Sequence, residues 1–378
     1  MSTISLILLG VRSSNNTVFF TLLRAGLWEQ SCRLAAFEPI DFVALYELAE
    51  EQSVVGLIAA GLELVEDKKI VKQEAIPFLK RVYSVEGRNA SMNAFIVDLV
   101  QRMRDADIYS VLVKGQGVAQ CYKRPQWRSA GDIDFFLDEE NYQKAKGFLA
   151  PLASHLNAED TSRLHYGMTI DPWVVELHGT MRSEMSSRVD GMIDAVQRDI
   201  FQGGGIRVWR KDDVDIFLPN PDNDVILVFT HFLHHFYVGG IGLRQICDWC
   251  RLLWTYKDSI DRELLDARLT EMGLMTEWKA FAHFAVEWLG MSEEAMPFFS
   301  ENERFKRKAE KVCNLILEMG NFGHNKDSSY RSKYPKMTGY FITFGRRLGE
   351  FVRLTSIFPR NAPRFFVTYV FGRTRAVL

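Results

Sequence analysis

The chain has 378 residues, of which 47% are hydrophobic and 25% are charged, and its formal net charge at pH 7 is −2. The length predicts two or three domains, or one large helical fold with a small sheet, and the apolar fraction is ample for a core. The near-neutral charge gives no overall positive field, so nucleic acid is not a favoured partner.

The cysteine usage and the absence of long apolar runs predict a reduced, soluble protein. The apolar stretch at residues 4–11 is too short to cross a membrane and has no basic start, so we expect neither a signal peptide nor a transmembrane segment. Five scattered cysteines are typical of a cytoplasmic chain with free thiols. Cys247 and Cys250 lie in a predicted helix without a second pair at zinc spacing, which favours buried thiols over a metal or redox site.

Residues 1–108 form a predicted N-terminal helical region. Asp41 is expected to cap a helix over residues 42–51, and Pro77 is expected to begin a long helix that ends near residue 105. No pattern in this region carries obvious chemistry, so we expect these helices to pack on the sheet that follows.

The next stretch predicts a strand, a glycine turn, a short helix and a second strand. Val111–Val113 is apolar and β-branched at both ends, which suits a buried strand. Gly115 and Gly117 end that strand and let backbone amides approach a ligand closely. A short helix is expected over residues 118–122, before a proline stops it.

The second strand of this stretch begins with two acids, Asp132 and Asp134, separated by one residue. Alternate residues of a strand share a face, so the two side chains project together, roughly 6.6 Å apart along the strand. Such carboxylates repel each other unless a cation lies between them, and Mg²⁺ prefers oxygen ligands. Two exposed acids at a solvated strand edge are the alternative, but the preceding glycine turn favours the metal site.

A predicted hairpin follows, with strands at residues 164–170 and 173–178 around the turn Asp171-Pro172. Glu176 and His178 share one face of its second strand. An acid on a strand beside the two aspartates is placed to supply a third metal ligand. For His178 the alternatives are a phosphate contact, orientation of Glu176, or an ordinary strand histidine.

One set of residues resembles a known signature: Leu112-Val113-Lys114-Gly115, Tyr122, Pro125, Arg128 and Asp132-Ile133-Asp134. The glycine turn and the Asp-x-Asp strand resemble the DNA polymerase beta-like nucleotidyltransferase superfamily. The fuller string is similar to a bacterial family of uncharacterised nucleotidyltransferases, across about residues 85–260. That family also carries an acidic-x-His strand. One difference is Gln116, which stands where the superfamily usually has serine or glycine.

The resemblance implies metal-dependent transfer of a nucleoside monophosphate from a nucleoside triphosphate to an unknown acceptor, which is a protein, a sugar or a small molecule. Mg²⁺ or Mn²⁺ would be held by Asp132, Asp134 and Glu176, with Glu176 also helping to deprotonate the acceptor. The expected nucleotide-binding residues are Lys114, Gly115, Gln116, Gly117, Arg128 and His178. The alternative is a non-catalytic module that keeps the fold and binds a nucleotide or a protein.

The overall pattern predicts an α+β fold. Residues 109–219 are the predicted nucleotidyltransferase core, with a small mixed β-sheet, and residues 220–378 form a C-terminal helical region. Within the core, a helix is expected over residues 181–200. Short strands at residues 206–209 and 214–218 are expected to extend the sheet.

Two predicted helices of the C-terminal region carry candidate residues. His231 and His235 are four residues apart on a helix over residues 225–237, so they share a face and suit either metal binding or simple burial. Arg244 and Asp248 are also four apart. They form either an ion pair within their helix or part of the active-site mouth.

The tail from residue 330 onward is basic and rich in phenylalanine. Such a mixture is typical of RNA binding or of an anionic membrane surface. The same mixture also suits a packed terminal helix with a solvated basic face, and we favour the packed helix over RNA or membrane binding. Three or four amphipathic helices are expected before it, over residues 261–319.

Overall fold

The computed structural model describes residues 3–37, 39–321 and 336–367. It has an α+β fold in which a small mixed sheet is flanked by helices on both sides, which confirms the predicted fold class. One apolar cluster extends from Val18 to Phe365, so the N-terminal and C-terminal helices share a core. The division into three regions stays a prediction.

Four helices precede the sheet: α1 (Thr3–Trp28), α2 (Phe42–Glu51), α3 (Val55–Glu63) and α4 (Lys72–Asp105). Asp41 caps α2 as predicted, because its carboxylate accepts the amide hydrogens of Val43 and Ala44. The predicted start of α4 at Pro77 is wrong, since this proline lies inside the helix. The Glu74 carboxylate accepts the amide of Val71, which caps the helix at an earlier residue.

The main sheet has five strands in the order β1-β2-β5-β4-β3. They are β1 (Val111–Val113), β2 (Ile133–Phe136), β3 (His155–Leu156), β4 (His165–Ile170) and β5 (Trp173–His178). Strand β2 pairs antiparallel with β1 and parallel with β5, so the sheet is mixed. The hairpin β4–β5 forms as predicted, and α6 (Glu139–Leu149) lies between β2 and β3 in the chain.

The short helix α5 (Gly115–Ala119) begins directly after β1, so the predicted helix over residues 118–122 is wrong in its start. Lys114 and Gly115 both have positive φ, at 56° and 36°, and they turn the chain into the helix at once. A Cβ atom added at Gly117 would lie 2.9 Å from the Leu218 side chain. These two glycines therefore serve a tight turn and a close helix contact.

Two other predictions for the core are wrong. The helix α7 (Ser187–Gln202) begins later than residue 181, because the Ser186 side chain caps it by accepting the amide of Val189. The strands β6 (Ile206–Lys211) and β7 (Val214–Pro219) form their own two-stranded sheet and do not extend the main one. This hairpin packs on the main sheet through side chains, because Ile216 and Leu218 are buried in the same cluster as Leu112.

The C-terminal region contains the following helices: α8 (Pro221–Val238), α9 (Leu243–Thr255), α10 (Arg262–Met272), α11 (Met275–Glu287), α12 (Glu303–Met319) and α13 (Lys336–Ile357). Phe358 and Phe365 of the tail are buried in the large cluster. Other predicted tail residues lie outside the described residues, namely Tyr330, Arg331, Lys333, Phe371, Arg373 and Arg375. All five cysteines are free, and Cys247 and Cys250 are buried in α9 as predicted. Among the described helices, none is long and apolar enough to span a membrane.

Candidate active site

Three acidic side chains converge at one edge of the main sheet. Asp134 lies on β2 and is paired in register with Glu176 on the parallel strand β5, while Asp132 immediately precedes β2. One carboxylate oxygen from each of the three lies within 4.8 Å of the other two. Asp134 is buried, whereas Asp132 and Glu176 keep access to solvent. The parallel pairing of β2 with β5 thus places Glu176 beside two aspartates that lie more than forty positions earlier in the chain.

Asp134, the innermost carboxylate of this set, has a lysine and a histidine beside it. Lys114 Nζ lies 2.7 Å from Asp134 Oδ1, and His178 Nε2 lies 2.8 Å from the same oxygen. Burial opposes ionisation of Asp134, but the adjacent lysine and histidine hold its pKa below the ordinary value. The charge of Asp134, together with burial, raises the pKa of Asp132. The site therefore contains more negative than positive charge.

Glu176 contacts two histidines. Its Oε2 lies 3.2 Å from His165 Nε2 and 3.5 Å from His178 Nε2. Interactions with His165 first, and then with His178, lower the pKa of Glu176 far below its ordinary value. Burial acts to lower the pKa of His178, yet the contacts with Asp134 and Glu176 raise it overall. Glu176 is therefore ionised across the physiological range.

The donor set fits a divalent cation. Carboxylate oxygens are the ligands that Mg²⁺ prefers, and one or two carboxylates with substrate phosphates commonly hold it. Three acids that converge beside a single lysine repel one another, and a cation among them removes that repulsion. Asp132, Asp134 and Glu176 are the residues that would hold the ion.

A cavity of about 200 Å³ opens over these carboxylates. One wall is the sheet edge with the turn at Lys114 and Gly115. The opposite wall comes from helices α8 and α9, through residues that include His231, Phe232, His235, Arg244, Gln245 and Asp248. The main sheet and the C-terminal helices thus form the cavity together.

Comparison with known proteins agrees with this geometry. A family model described as Uncharacterised nucleotidyltransferase matches residues 38–290, which include the three carboxylates and both walls of the cavity. The chain belongs to this family of nucleotidyltransferases. Searches of curated proteins and of solved structures found no significant match. Family membership supports nucleotidyl transfer in general, with a nucleoside triphosphate as substrate.

In this nucleotidyltransferase the predicted phosphate ligand Arg128 is already engaged. Its Nε and Nη2 atoms donate to the two carboxylate oxygens of Asp248, each at 2.7 Å, and the Tyr122 hydroxyl donates to the same carboxylate at 2.8 Å. Burial acts to lower the pKa of Arg128, but Asp248 raises it overall. Arg128 still lines the cavity, where its charge is largely offset by Asp248.

Arg244 lies at the mouth of the cavity rather than in an ion pair within its own helix. Its Nη1 donates to the carbonyl of Ser129 at 2.7 Å, and its Nε is buried without a hydrogen-bond partner among the described residues. Asp248 is instead paired with Arg128. The sequence leaves open an ion pair within the helix or a position at the active-site mouth for Arg244, and the structure supports the position at the mouth.

The remaining predicted residues divide into two groups. Lys114 and Gly115 line the cavity. The Gln116 side chain turns towards α4, where its Nε2 donates to Asn89 Oδ1 at 2.9 Å, and Gly117 packs against β7. The carboxamide of Gln116 is therefore engaged in a hydrogen bond within the protein. Contact of the backbone amides of Gln116 and Gly117 with a nucleotide stays a prediction.

His165 is a site residue that the sequence argument missed. It lies on β4 directly opposite His178, and these two residues are equally distant from the turn at Asp171-Pro172. The register of a tight hairpin centred on that turn therefore places His165 beside the acidic-x-His pair. His231 and His235 have ring centroids 4.6 Å apart on α8, and the metal-binding clusters found among the described residues do not include them.

Proposed function

We propose that the protein uses a divalent cation, Mg²⁺ or Mn²⁺, to transfer a nucleoside monophosphate from a nucleoside triphosphate to an acceptor hydroxyl or similar group. The observation that carries this proposal is the convergence of Asp132, Asp134 and Glu176 within 4.8 Å, beside the Lys114 turn. The same arrangement supports placement in the polymerase beta-like superfamily.

The residues around the cavity have distinct roles in this proposal. Asp132 and Asp134 would hold a cation on the triphosphate, and Glu176 would complete a second position. When bound, the cation offsets phosphate charge and stabilises the attacking and leaving oxygens. Lys114 and Arg244 line the cavity and bring positive charge to it. Both are placed to bind phosphate oxygens.

The proposed reaction exchanges one bond for another at the α-phosphorus. The acceptor oxygen forms a bond to this phosphorus while the bond to the bridging oxygen of the β-phosphate breaks, which releases pyrophosphate. The acceptor proton passes to a carboxylate of the site, for which we propose Glu176. The lowered pKa keeps Glu176 ionised, as both a cation ligand and a proton acceptor must be, although it also makes the carboxylate a weak base.

A non-catalytic nucleotide-binding module is the second candidate. It is favoured by the engagement of Arg128 with Asp248 and of Gln116 with Asn89, which occupies two side chains that are expected to contact phosphate. Tight binding of Mg²⁺-nucleotide without transfer to any acceptor would support this alternative.

The decisive experiment is a screen with labelled nucleoside triphosphates and Mg²⁺ or Mn²⁺, for transfer to proteins, sugars and small molecules. Asp132→Ala and Asp134→Ala should each abolish cation-dependent nucleotide binding. Asp213→Asn is a matched control, because the Asp213 side chain is 99% exposed. If both alanine variants bind Mg²⁺-nucleotide as the wild type does, the site lies elsewhere.

A further inference from the structure

Glu176 has a second set of neighbours besides the two aspartates. His165 on β4 and His178 on β5 are directly opposite in the hairpin, and the Nε2 atom of each lies near Glu176 Oε2, at 3.2 Å and 3.5 Å, while His178 Nε2 also lies 2.8 Å from Asp134 Oδ1. Their ring centroids are 4.8 Å apart. One donor atom from each of the three side chains lies within 4.8 Å of the others. Two nitrogens and one oxygen therefore surround a single small volume.

The two separations from Glu176 Oε2 match those of ligands around one ion. Two ligands that each lie about 2.0–2.1 Å from a tetrahedral Zn²⁺ are about 3.3 Å from each other. The observed distances from Glu176 Oε2 are 3.2 Å to His165 and 3.5 Å to His178. Hydrogen bonds between nitrogen and oxygen are usually about 2.7–3.2 Å long, so one distance is at the upper limit and the other exceeds it.

The three side chains also face open space. A cavity of about 220 Å³ is lined by His165, Glu176 and His178, and shares Lys114, Glu176, His231 and His235 with the cavity over the aspartates. An ion held there would keep an open position for water or a substrate group, as reactive metal sites require.

We propose that His165, Glu176 and His178 form a binding site for a divalent transition-metal ion of the Zn²⁺ class. Imidazole nitrogen favours such ions, whereas an all-oxygen set favours Mg²⁺. The two sites would share Glu176 and differ in the ion that they select. This claim goes beyond the proposed function, since ion binding at the histidines does not require nucleotidyl transfer.

The test uses the full-length protein, freed of metal with a chelator and titrated with Co²⁺ while Mg²⁺ is in excess. Co²⁺ replaces Zn²⁺ in such sites, and its visible absorption is intense in a four-coordinate site and weak in a six-coordinate one. We expect one equivalent to bind with intense absorption that excess Mg²⁺ does not displace. His165→Ala should weaken Co²⁺ binding by more than the about 10–100-fold that loss of an outer-shell partner causes.

Three variants make the result decisive. His155→Ala, which removes an exposed histidine on β3, should bind Co²⁺ like the wild type. Asp132→Asn should keep Co²⁺ binding while it loses Mg²⁺-nucleotide binding, which separates failure of this proposal from failure of the proposed function. If the His165→Ala variant does not fold, the His165→Asn variant is titrated in its place.

Unchanged Co²⁺ affinity and absorption in the folded His165 variant would overturn the proposal. The same holds if Mg²⁺ displaces Co²⁺ from the wild type. In either case the histidines serve only to orient Glu176.

Discussion

Two groups of charged side chains line the cavity, and their charges are balanced differently. In the first group, Arg128 and Asp248 form a closed pair with two parallel hydrogen bonds, and Tyr122 adds a third. In the second group, three carboxylates converge around Lys114, the only lysine or arginine in direct contact with them among the described residues, with histidines beside them. The first group is complete within the protein, and the second has negative charge in excess.

This difference indicates what each group does. An isolated charge is costly to bury, so buried charges are usually paired or bind metals. The Arg128–Asp248 pair satisfies that condition without help and joins the core to α9. The three carboxylates are only partly paired within the protein. Their remaining negative charge is available to a cation in the cavity. The balanced charges of the Arg128–Asp248 pair therefore indicate a structural role, and the excess negative charge of the carboxylates indicates a binding role.

Breaking the closed pair should have the largest effect. Arg128→Met leaves Asp248 buried and unpaired, for which about 3–5 kcal/mol of unfolding free energy is typically lost. Chemical denaturation of both proteins measures this loss. The double variant Arg128→Met/Asp248→Leu should recover most of it, because no buried charge remains. A loss below about 1 kcal/mol in the single variant would show that the pair does not hold the two regions together.

Glu277 sharpens the comparison, because it is a buried carboxylate held by two neutral donors. Its Oε1 accepts hydrogen bonds from Tyr237 at 3.1 Å and from Asn361 at 2.9 Å, and burial raises its pKa from 4.5 to about 7. A carboxyl group whose pKa is higher in the folded state favours folding when it is protonated. This stabilisation is fully present below the pKa of the unfolded state and is lost as the pH rises through the pKa of the folded state. The window is therefore pH 4.5 to about 7.

Glu277→Gln stays neutral, so it should gain stability relative to the wild type as the pH rises through this window. The full difference is about 3 kcal/mol, from about 1.4 kcal/mol per pKa unit. Unfolding free energies at about pH 4 and about pH 8, on either side of the window, measure it. Parallel curves for the two proteins would mean that Glu277 ionises normally, and the contrast with the Arg128–Asp248 pair would disappear.

The features that the sequence predicts correctly are local ones. Strand periodicity alone places Asp132 with Asp134, and Glu176 with His178. The cap at Asp41 depends on two amides within three residues of it. Neighbours in the chain determine each of these features, so residue types and spacing are sufficient to find them.

The features that the sequence does not predict depend on packing between distant segments. Arg128 and Asp248 are 120 positions apart, so spacing suggested a pair between Arg244 and Asp248 instead. The hairpin β6–β7 has an alternating pattern that fits a strand of the main sheet. Only the burial of Ile216 and Leu218 against the sheet decides its position. His165 is intermediate, since the hairpin register reveals it once the turn is known.

Glu176→Gln tests whether the open group of charges is catalytic. The substitution keeps the size of the side chain and removes its charge, so nucleotide should still bind through Asp132 and Asp134. Single-turnover transfer should fall by about 10²-fold, the scale for loss of a positioned acid–base group. Glu140→Gln is the matched control, because the Glu140 side chain is 76% exposed. Undiminished transfer by Glu176→Gln would remove this residue from the reaction.

The smallest expected effect concerns the stability of Asp132→Asn without metal. The charge of Asp134, with burial, raises the pKa of Asp132 above 3.8 in the folded state. Protonated Asp132 therefore favours folding. This stabilisation is fully present below about pH 3.8 and is lost as the pH rises through the pKa of Asp132 in the folded state. The asparagine variant avoids this loss, so at neutral pH it should be more stable than the wild type. The gain should not exceed about 1 kcal/mol, because the side chain reaches solvent and its repulsion is screened.

Mg²⁺ should reverse this order of stability. A ligand that binds only the folded state stabilises it by about 2.7 kcal/mol at a hundred times its Kd, and the wild type should gain more than Asp132→Asn. Unfolding free energies of both proteins, with and without Mg²⁺ at neutral pH, should therefore cross. Asp213→Asn should follow the wild type in both conditions. If Asp132→Asn is less stable without the ion and gains as much from it, Asp132 does not belong to a cation site, and the excess of negative charge has another cause.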